Sequence, residues 1–401
     1  MRPFGTLLPF EEAERIIATD IEPIARVETI SIDGCLGRVL AEAIIATRST
    51  PPFDRAAMDG YALKARDTFG VSRQNPRMLD VVDVLYAGAR PQRRLARGES
   101  IQIATGARMP QGADAVVMVE DVSLEDDRIK VFKSVYPKAN LALKGEDIKK
   151  GELVLKEGFV LNPAKIGVLA SQGISRVRVY EKPKIAVIPT GEEIGEVGKR
   201  LRQGQIYDIN SYTVSAVVEE NGCAPIKFGI VGDNPQEIKA TIKEALEADL
   251  VVFSGGSSVG EKDLLFGILK EMGEVLFHGI QIKPGKPTLF ALVSGKPVLG
   301  MPGYPTSCLL NAYLLLLPAL RKMARLLPKR RVTVAARLGE RVPGSLGRRQ
   351  FLPVRLEADT AMPIFKESGA ITSTATADGY IVIAENTDIL EKGEPVTVTL
   401  F

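Results

Sequence analysis

Between Lys184 and about Leu327, short apolar runs alternate with stretches of helical period. The runs Lys184–Ile188, Pro225–Ile230, Leu250–Phe253, Glu274–Phe277, Thr288–Leu292 and Pro297–Leu299 predict strands. The periodic stretches at about Ser211–Asn221, Pro235–Ala248, Asp263–Met272 and Thr306–Arg325 predict helices. Asn234 is placed to cap, with Pro235 at the first helical position, and Gly222 and Gly273 stand where left-handed helix stops are common. This alternation predicts a doubly wound α/β domain.

The flanks have a different texture. Residues 77–132 and 332–401 are rich in Val, Ile and Thr, with closely spaced Gly, Asp and Pro turns, and predict two small β-domains. Residues 1–50 open with a predicted helix, Phe10–Ala18, and continue into short strands, a texture that resumes at Lys144–Tyr180 around a predicted helix Pro163–Gln172. The expected organisation is therefore multidomain α/β and β. A split N-terminal domain (1–50 and 143–181) carries an inserted β-domain (51–142), followed by the α/β domain (182–328) and a β-barrel-like C-terminal domain (329–401). No internal repeat or low-complexity tract is present.

Composition narrows the chemistry. At 401 residues the chain exceeds one core, and 52 basic against 49 acidic residues leave a net charge of only +3, so neither nucleic acid nor a membrane surface is an expected partner. The densest basic patch, Lys329-Arg330-Arg331, reads as a solvated hinge. The greasiest segment, Cys308 to Leu320, is broken by Asn311 and Pro318 and falls short of the roughly 20 apolar residues of a spanning helix. The N-terminus passes quickly into charged residues, which predicts no signal peptide. Three cysteines, Cys35, Cys223 and Cys308, are too few and too scattered for a disulfide framework or a zinc site, so a reducing cytoplasm is the expected compartment. The one histidine, His278, has no nucleophile motif nearby and reads as structural.

Three glycine-bearing loops follow three predicted strands. Thr190-Gly191-Glu192-Glu193 follows the first, Ser254-Gly255-Gly256-Ser257-Ser258-Val259-Gly260 the third, and Gly300-Met301-Pro302-Gly303-Tyr304-Pro305 the last. Loops at the carboxyl ends of a parallel sheet form the ligand crevice of open α/β folds, and glycines let backbone N–H groups approach a phosphate. Glu193, Asp233 and Asp263 add carboxylates at these ends, where they serve either as helix N-terminal acids or as oxygen ligands for Mg²⁺ beside a phosphate. Lys283-Pro284-Gly285-Lys286-Pro287 holds two ammonium groups on a stiff turn, which is either an oxyanion clamp or a surface hairpin. Outside this region, Pro51-Pro52 stiffens the entry to Asp59-Gly60, a turn presenting one carboxylate, and Thr105-Gly106 makes a further turn between strands.

Taken in order, the segments at 53–61, 105–117, 145–148, 190–193, 254–263, 283–287 and 302–305 resemble the molybdopterin molybdenumtransferases, a family that includes bacterial and archaeal enzymes and the E domain of gephyrin. The resemblance runs nearly end to end. It implies four domains, with an α/β domain of molybdopterin-binding type. It implies a homodimer whose site lies between the α/β domain of one subunit and the inserted β-domain of the other, and Mg²⁺-dependent insertion of molybdate into adenylylated molybdopterin with release of AMP. It places the family's functional acids on Asp59, Glu193, Asp233 and Asp263, its threonine on Thr105, its lysines on Lys283 and Lys286, and its proline pair on Pro302 and Pro305. Ser254, Gly255, Gly256, Ser258 and Gly260 would hold the pterin diphosphate, and Asp233 and Asp263 the metal. Only Lys144 is basic before Gly145-Glu146-Asp147-Ile148, and Tyr304 and Ser257 depart from the common pattern, which leaves tungstate as an alternative anion. Molybdopterin adenylyltransferase is a candidate partner for substrate supply. The rival functions are molybdopterin adenylyl transfer itself and a gephyrin-like dimeric scaffold.

Overall fold

The computed structural model describes residues 7–255 and 264–401. The chain forms two compact units, one of Met1–Glu28, Gly37–Val39 and Tyr180–Phe401, the other of Thr29–Leu36 and Leu40–Val179.

In the first unit a six-stranded sheet is built from β1 (Lys184–Pro189), β2 (Ala224–Lys227), β3 (Leu250–Ser254), β4 (Glu274–His278), β5 (Leu289–Val293) and β6 (Lys296–Met301), in the order β2-β1-β3-β6-β5-β4. The four strands β2, β1, β3 and β6 are parallel. Their residues alternate between two covered faces. Ile185, Val187, Leu250, Val252 and Leu299 enter one core with helices Asn210–Glu220 and Pro305–Asn311; Ala186, Ile188, Val251, Phe253 and Val298 enter the other with helices Pro235–Ala245 and Leu264–Met272. Burial on both faces is why these strands read as continuous apolar runs, and each fully buried large side chain contributes about 1.5–3 kcal/mol.

The sheet is not wholly parallel. β5 runs antiparallel to both β6 and β4; only Ser294 (φ 51°) and Gly295 (φ 74°) join β5 to β6, a two-residue hairpin with no room for a crossover. The predicted helix Thr306–Arg325 is also interrupted. It consists of Pro305–Asn311, a π-helical turn Ala312–Leu316 and Leu317–Met323, since Pro318 lacks an N–H and its ring crowds the carbonyl four residues back. Gly222 is a left-handed stop (φ 77°). Gly273 is not, and is small for another reason: a Cβ there would stand 2.1 Å from the Leu292 carbonyl oxygen.

At the carboxyl end of this unit, strands Thr333–Leu338, Arg349–Glu357, Thr360–Pro363, Gly379–Ile383 and Pro395–Leu400 close into a five-stranded barrel around Leu338, Val354, Ala361, Ile381 and Val398. The N-terminal helix Phe10–Asp20 buries Phe10, Ala13 and Ile17 in the same core as Ile185 and Leu320. No described helix is long and apolar enough to cross a membrane.

The second unit contains a six-stranded sheet in the order Ala115–Met118, Gly60–Leu63, Glu99–Ile103, Arg77–Leu85, Arg128–Val131, Val122–Glu125. Tyr61 and Leu63 point into one of its cores and Ala62 into the other. A separate core of Leu40, Ile44, Leu155, Leu161 and Leu169 surrounds helix Pro163–Ser171, which Asn162 caps by accepting from the Lys165 amide (3.0 Å).

Candidate functional site

β1, β3 and β6 are neighbours in one parallel block, and Pro189, Ser254 and Met301 sit level at their carboxyl ends. The three glycine loops therefore leave the sheet side by side. Hydrogen bonds tie them together: the Thr190 amide donates to the Ser254 carbonyl (3.0 Å) and the Gly255 amide to the Met301 carbonyl (3.2 Å). Gly255 has φ 97°, and a Cβ on it would lie 2.5 Å from the Thr190 carbonyl oxygen. A Cβ on Gly303 would meet the Gly255 Cα at 3.5 Å, so the second and third loops touch at their glycines. At Gly255 this close approach of backbone to backbone requires glycine.

The carboxylates divide. Glu193 folds over Gly191 (φ 139°), where a Cβ would stand 2.6 Å from its Oε2, so the glycine makes room for the acid at the rim. The Gly191 amide donates to the Val231 carbonyl (3.1 Å), which brings Gly232-Asp233 alongside. The cap of the following helix is Asn234, whose Oδ1 accepts from Gln236 (2.9 Å) and Glu237 (3.2 Å), and the exposed Asp233 takes no part in it. Asp263 lies outside the described residues, as do Gly256, Ser258 and Gly260. Among the described residues no group of three or more His, Cys, Asp or Glu side chains is arranged for a metal. The donors described at these strand ends, Glu193 and Asp233, are carboxylates, the oxygen chemistry that Mg²⁺ accepts.

The lysine turn is anchored rather than a free hairpin. Gly285 (φ 106°) lies against the Asn311 amide, whose Nδ2 donates to the Gly285 carbonyl (3.3 Å) and to Thr288 Oγ1 (2.5 Å). Lys283 is exposed and pairs in register with Gln350 of the barrel. Asn311 ends the helix that Pro305 begins, so the lysine turn and the Pro302–Pro305 loop stand at opposite ends of about 9 Å of helix rise. Pro302 and Pro305 are buried and Tyr304 is exposed.

Asp59 and Thr105 belong to the second unit and meet there directly. Asp59 Oδ1 accepts from the Thr105 amide (2.7 Å) and from its hydroxyl (2.9 Å). The amide bond first and the hydroxyl bond second hold the Asp59 carboxyl below its usual range. Gly60 is not a turn glycine. It starts a strand, and a Cβ would fall 1.9 Å from the Val117 carbonyl oxygen, so it is there for close strand packing.

Two groups of residues escaped sequence reasoning. Asp208 precedes helix Asn210–Glu220 and Asn210 begins it: Asp208 accepts from the Ser211 amide (3.0 Å) and hydroxyl, and Asn210 Nδ2 donates to the Gly303 carbonyl (2.8 Å). An acid three residues before a helical serine is the only signal the chain offered. The second group is barrel loop Ser368–Ser373, where Thr306 donates its amide to Ser368 (3.0 Å) and its hydroxyl to Ala370 (2.9 Å). A contact across more than sixty positions has no local signature.

Other candidates have structural roles. His278 stacks on Phe266 at 4.5 Å. The three cysteines are buried, and burial pushes the Cys223 and Cys308 thiols up to about 12, which makes them poor nucleophiles. A cavity of about 340 Å³ lined by Tyr313, Leu317, Arg321, Arg331, Tyr380 and Phe401 contains none of the residues above.

Comparison with known proteins covers the whole chain. Residues 8–173 match the MoeA N-terminal region (domain I and II), 186–322 a probable molybdopterin binding domain, and 335–401 the MoeA C-terminal region (domain IV). A putative molybdopterin biosynthesis protein of Methanocaldococcus jannaschii is 35% identical over 413 residues, covering 100% of both chains. A molybdopterin molybdenumtransferase of Haemophilus influenzae is 38% identical over 319 residues, covering 79% of this chain and 78% of that one. The crystal structure of a molybdopterin biosynthesis MoeA protein from Pyrococcus horikosii superimposes with a TM-score of 0.85 at 43% identity, covering 98% of this chain and 99% of that one.

Proposed function

Because the chain belongs to the MoeA family of molybdopterin molybdenumtransferases, we propose that it inserts molybdate or tungstate into adenylylated molybdopterin, releases AMP and requires Mg²⁺. The observation that carries this reading is the convergence of Thr190–Gly191, Ser254–Gly255 and Pro302–Gly303 at adjacent parallel strand ends, with carboxylates at the rim. Backbone amides there suit a diphosphate and need no protein nucleophile.

In this mechanism the Ser254–Gly260 loop orients the pterin diphosphate. Asp233 and Asp263 would hold Mg²⁺, which would supply charge neutralisation and polarisation of the diphosphate. Lys283 and Lys286 hold the oxyanion as cations on an anchored turn, with Pro302 and Pro305 shaping the neighbouring loop. Glu193 adds negative charge at the rim. Asp59, fixed by Thr105, completes the site within a homodimer. The similarity extends over 8–173 and 335–401 as well as over the α/β domain, which favours this reading over adenylyl transfer by an α/β domain alone.

The test is to incubate purified protein with adenylylated molybdopterin, Mg²⁺ and either oxyanion, without ATP. Release of AMP that depends on the oxyanion and stops on chelation supports the reading. AMP release indifferent to both oxyanions refutes it. The ratio of molybdate to tungstate turnover identifies the preferred anion.

A further inference from the structure

Asn210 stands at the start of helix Asn210–Glu220 and is only 8% exposed. Its amide orientation is fixed by chemistry. The Gly303 carbonyl can only accept, so the atom 2.8 Å from it is the nitrogen, and Oδ1 faces the other way. That buried oxygen has no hydrogen-bond partner among the described residues. Ser254, 3% exposed, is in the same position: its Oγ is buried and has no partner among the described residues, although its carbonyl is used by Thr190. Ser254 shares the sheet face of Leu250 and Val252, the face that helix Asn210–Glu220 covers. Asn210 is thus bonded to one residue of the Gly255–Gly303 contact, and Ser254 precedes the other. Buried polar atoms are rarely left unsatisfied, and a pair of them around one loop contact marks a place where a ligand supplies the missing bonds.

We propose that Asn210 Oδ1, with Ser254 Oγ at the strand end whose next residue meets Gly303, reads an N–H donor on the organic part of the substrate, the amino edge of its heterocycle. This rests on the reading of the strand ends as the substrate site. The polarity excludes the anionic parts of the substrate. An amide oxygen is an acceptor, and the oxygens of a diphosphate, molybdate or tungstate at neutral pH are acceptors too, so none of them can satisfy it. An exocyclic amine or ring N–H can. The adenylylated substrate has two such edges, one on the pterin and one on the adenine, and both offer the same chemistry. Asn210 is therefore a specificity-determining contact, while the neighbouring glycine amides and lysines deal with the anions.

The experiment uses four probes in two pairs that differ by an amine replaced with an oxo group: 6-carboxypterin against 6-carboxylumazine, and AMP against IMP. Each is scored as a competitor of AMP release and by direct titration calorimetry. The parent protein should prefer the amine in one pair by about tenfold, the worth of one buried neutral hydrogen bond, and that pair identifies the pterin or the adenine. Asn210→Ala should abolish the preference while leaving the oxyanion concentration for half-maximal turnover unchanged. A role confined to holding Gly303 would weaken all four probes alike and keep their ratio. Ser254→Ala removes a hydroxyl that bonds to nothing among the described residues, so it should melt like the parent and weaken the preferred probe selectively. No discrimination by the parent in either pair, no binding of any probe, or discrimination that survives both substitutions overturns the proposal. If discrimination follows Asn210 but AMP is never released from adenylylated molybdopterin, the transferase reading fails and the Asn210 assignment stands.

Discussion

Gly255→Ala and Gly303→Ala form a matched pair that tests whether the glycine loops are held by contact or merely tolerated. The two glycines face each other, yet the structure assigns them different costs. A methyl on Gly255 would stand 2.5 Å from the Thr190 carbonyl oxygen and 3.1 Å from its hydroxyl, on a backbone with φ 97°. The positive φ alone costs about 1–2 kcal/mol for a residue with a Cβ, and forcing apart two backbone segments adds about 1–3 kcal/mol. The expected loss is about 3 kcal/mol. The Gly303 methyl would meet the Gly255 Cα at 3.5 Å, an ordinary van der Waals contact, with no positive φ to penalise. Its expected change is within about 0.5 kcal/mol. At roughly 2–4 °C per kcal/mol for a unit of this size, calorimetry should show the α/β transition of Gly255→Ala about 6–12 °C below the parent, and Gly303→Ala within about 2 °C of it. Equal melting of Gly255→Ala and parent, or an equal fall in both variants, would refute the argument that the second loop is pressed against Thr190.

Asp233→Asn and Asp263→Asn keep side-chain size and remove charge, so each should cut AMP release by at least tenfold with an unchanged circular dichroism spectrum; parent-like release by both would remove the metal from these acids. Lys283→Ala and Lys286→Ala should raise the molybdate concentration for half-maximal turnover, and an unchanged curve in both would assign the turn to a structural role. An Asp59→Ala chain and an Asp263→Ala chain, each inactive alone, should recover partial activity on mixing, because about half of randomly paired dimers are mixed and each holds one intact site; mixed dimers with no activity would end the shared-site proposal. The Asp249 carboxylate provides a pH test. Burial opposes its charge, but Arg26 (2.9 and 2.8 Å) and the Lys184 amide (2.8 Å) outweigh that and hold its pKa below the ordinary value. A carboxyl depressed in the folded state contributes stability that is fully present above its unfolded pKa of about 3.9 and is lost as pH falls through the folded value. Urea midpoints should therefore drop more steeply below about pH 4 in the parent than in Arg26→Met, and parallel curves would show that this pair does not contribute.

The sequence by itself determined the alternating elements of residues 184–323, because strands buried on both faces must be apolar along their whole length and the helices covering them must be periodic. It also determined the Asn234 cap, whose signal is local, and the order of the three glycine loops. Only the tertiary structure decided that β1, β3 and β6 are immediate neighbours, which places Gly191, Gly255 and Gly303 in one group. The reason is that pairing order is set by long-range packing and leaves no periodic mark on any one strand. The antiparallel β5–β6 hairpin was written in Ser294-Gly295, a signal legible in hindsight from turn chemistry. The meaning of several glycines was not legible at all. Gly60 and Gly273 look like turn residues in the chain, but they are small because a neighbouring carbonyl oxygen occupies the space of their Cβ. Asn210, a polar residue in a helical stretch, gives no sign of function along the chain. Its unmatched oxygen exists only because the fold buries it beside Gly303, and burial, unlike propensity, is a property of the assembled molecule.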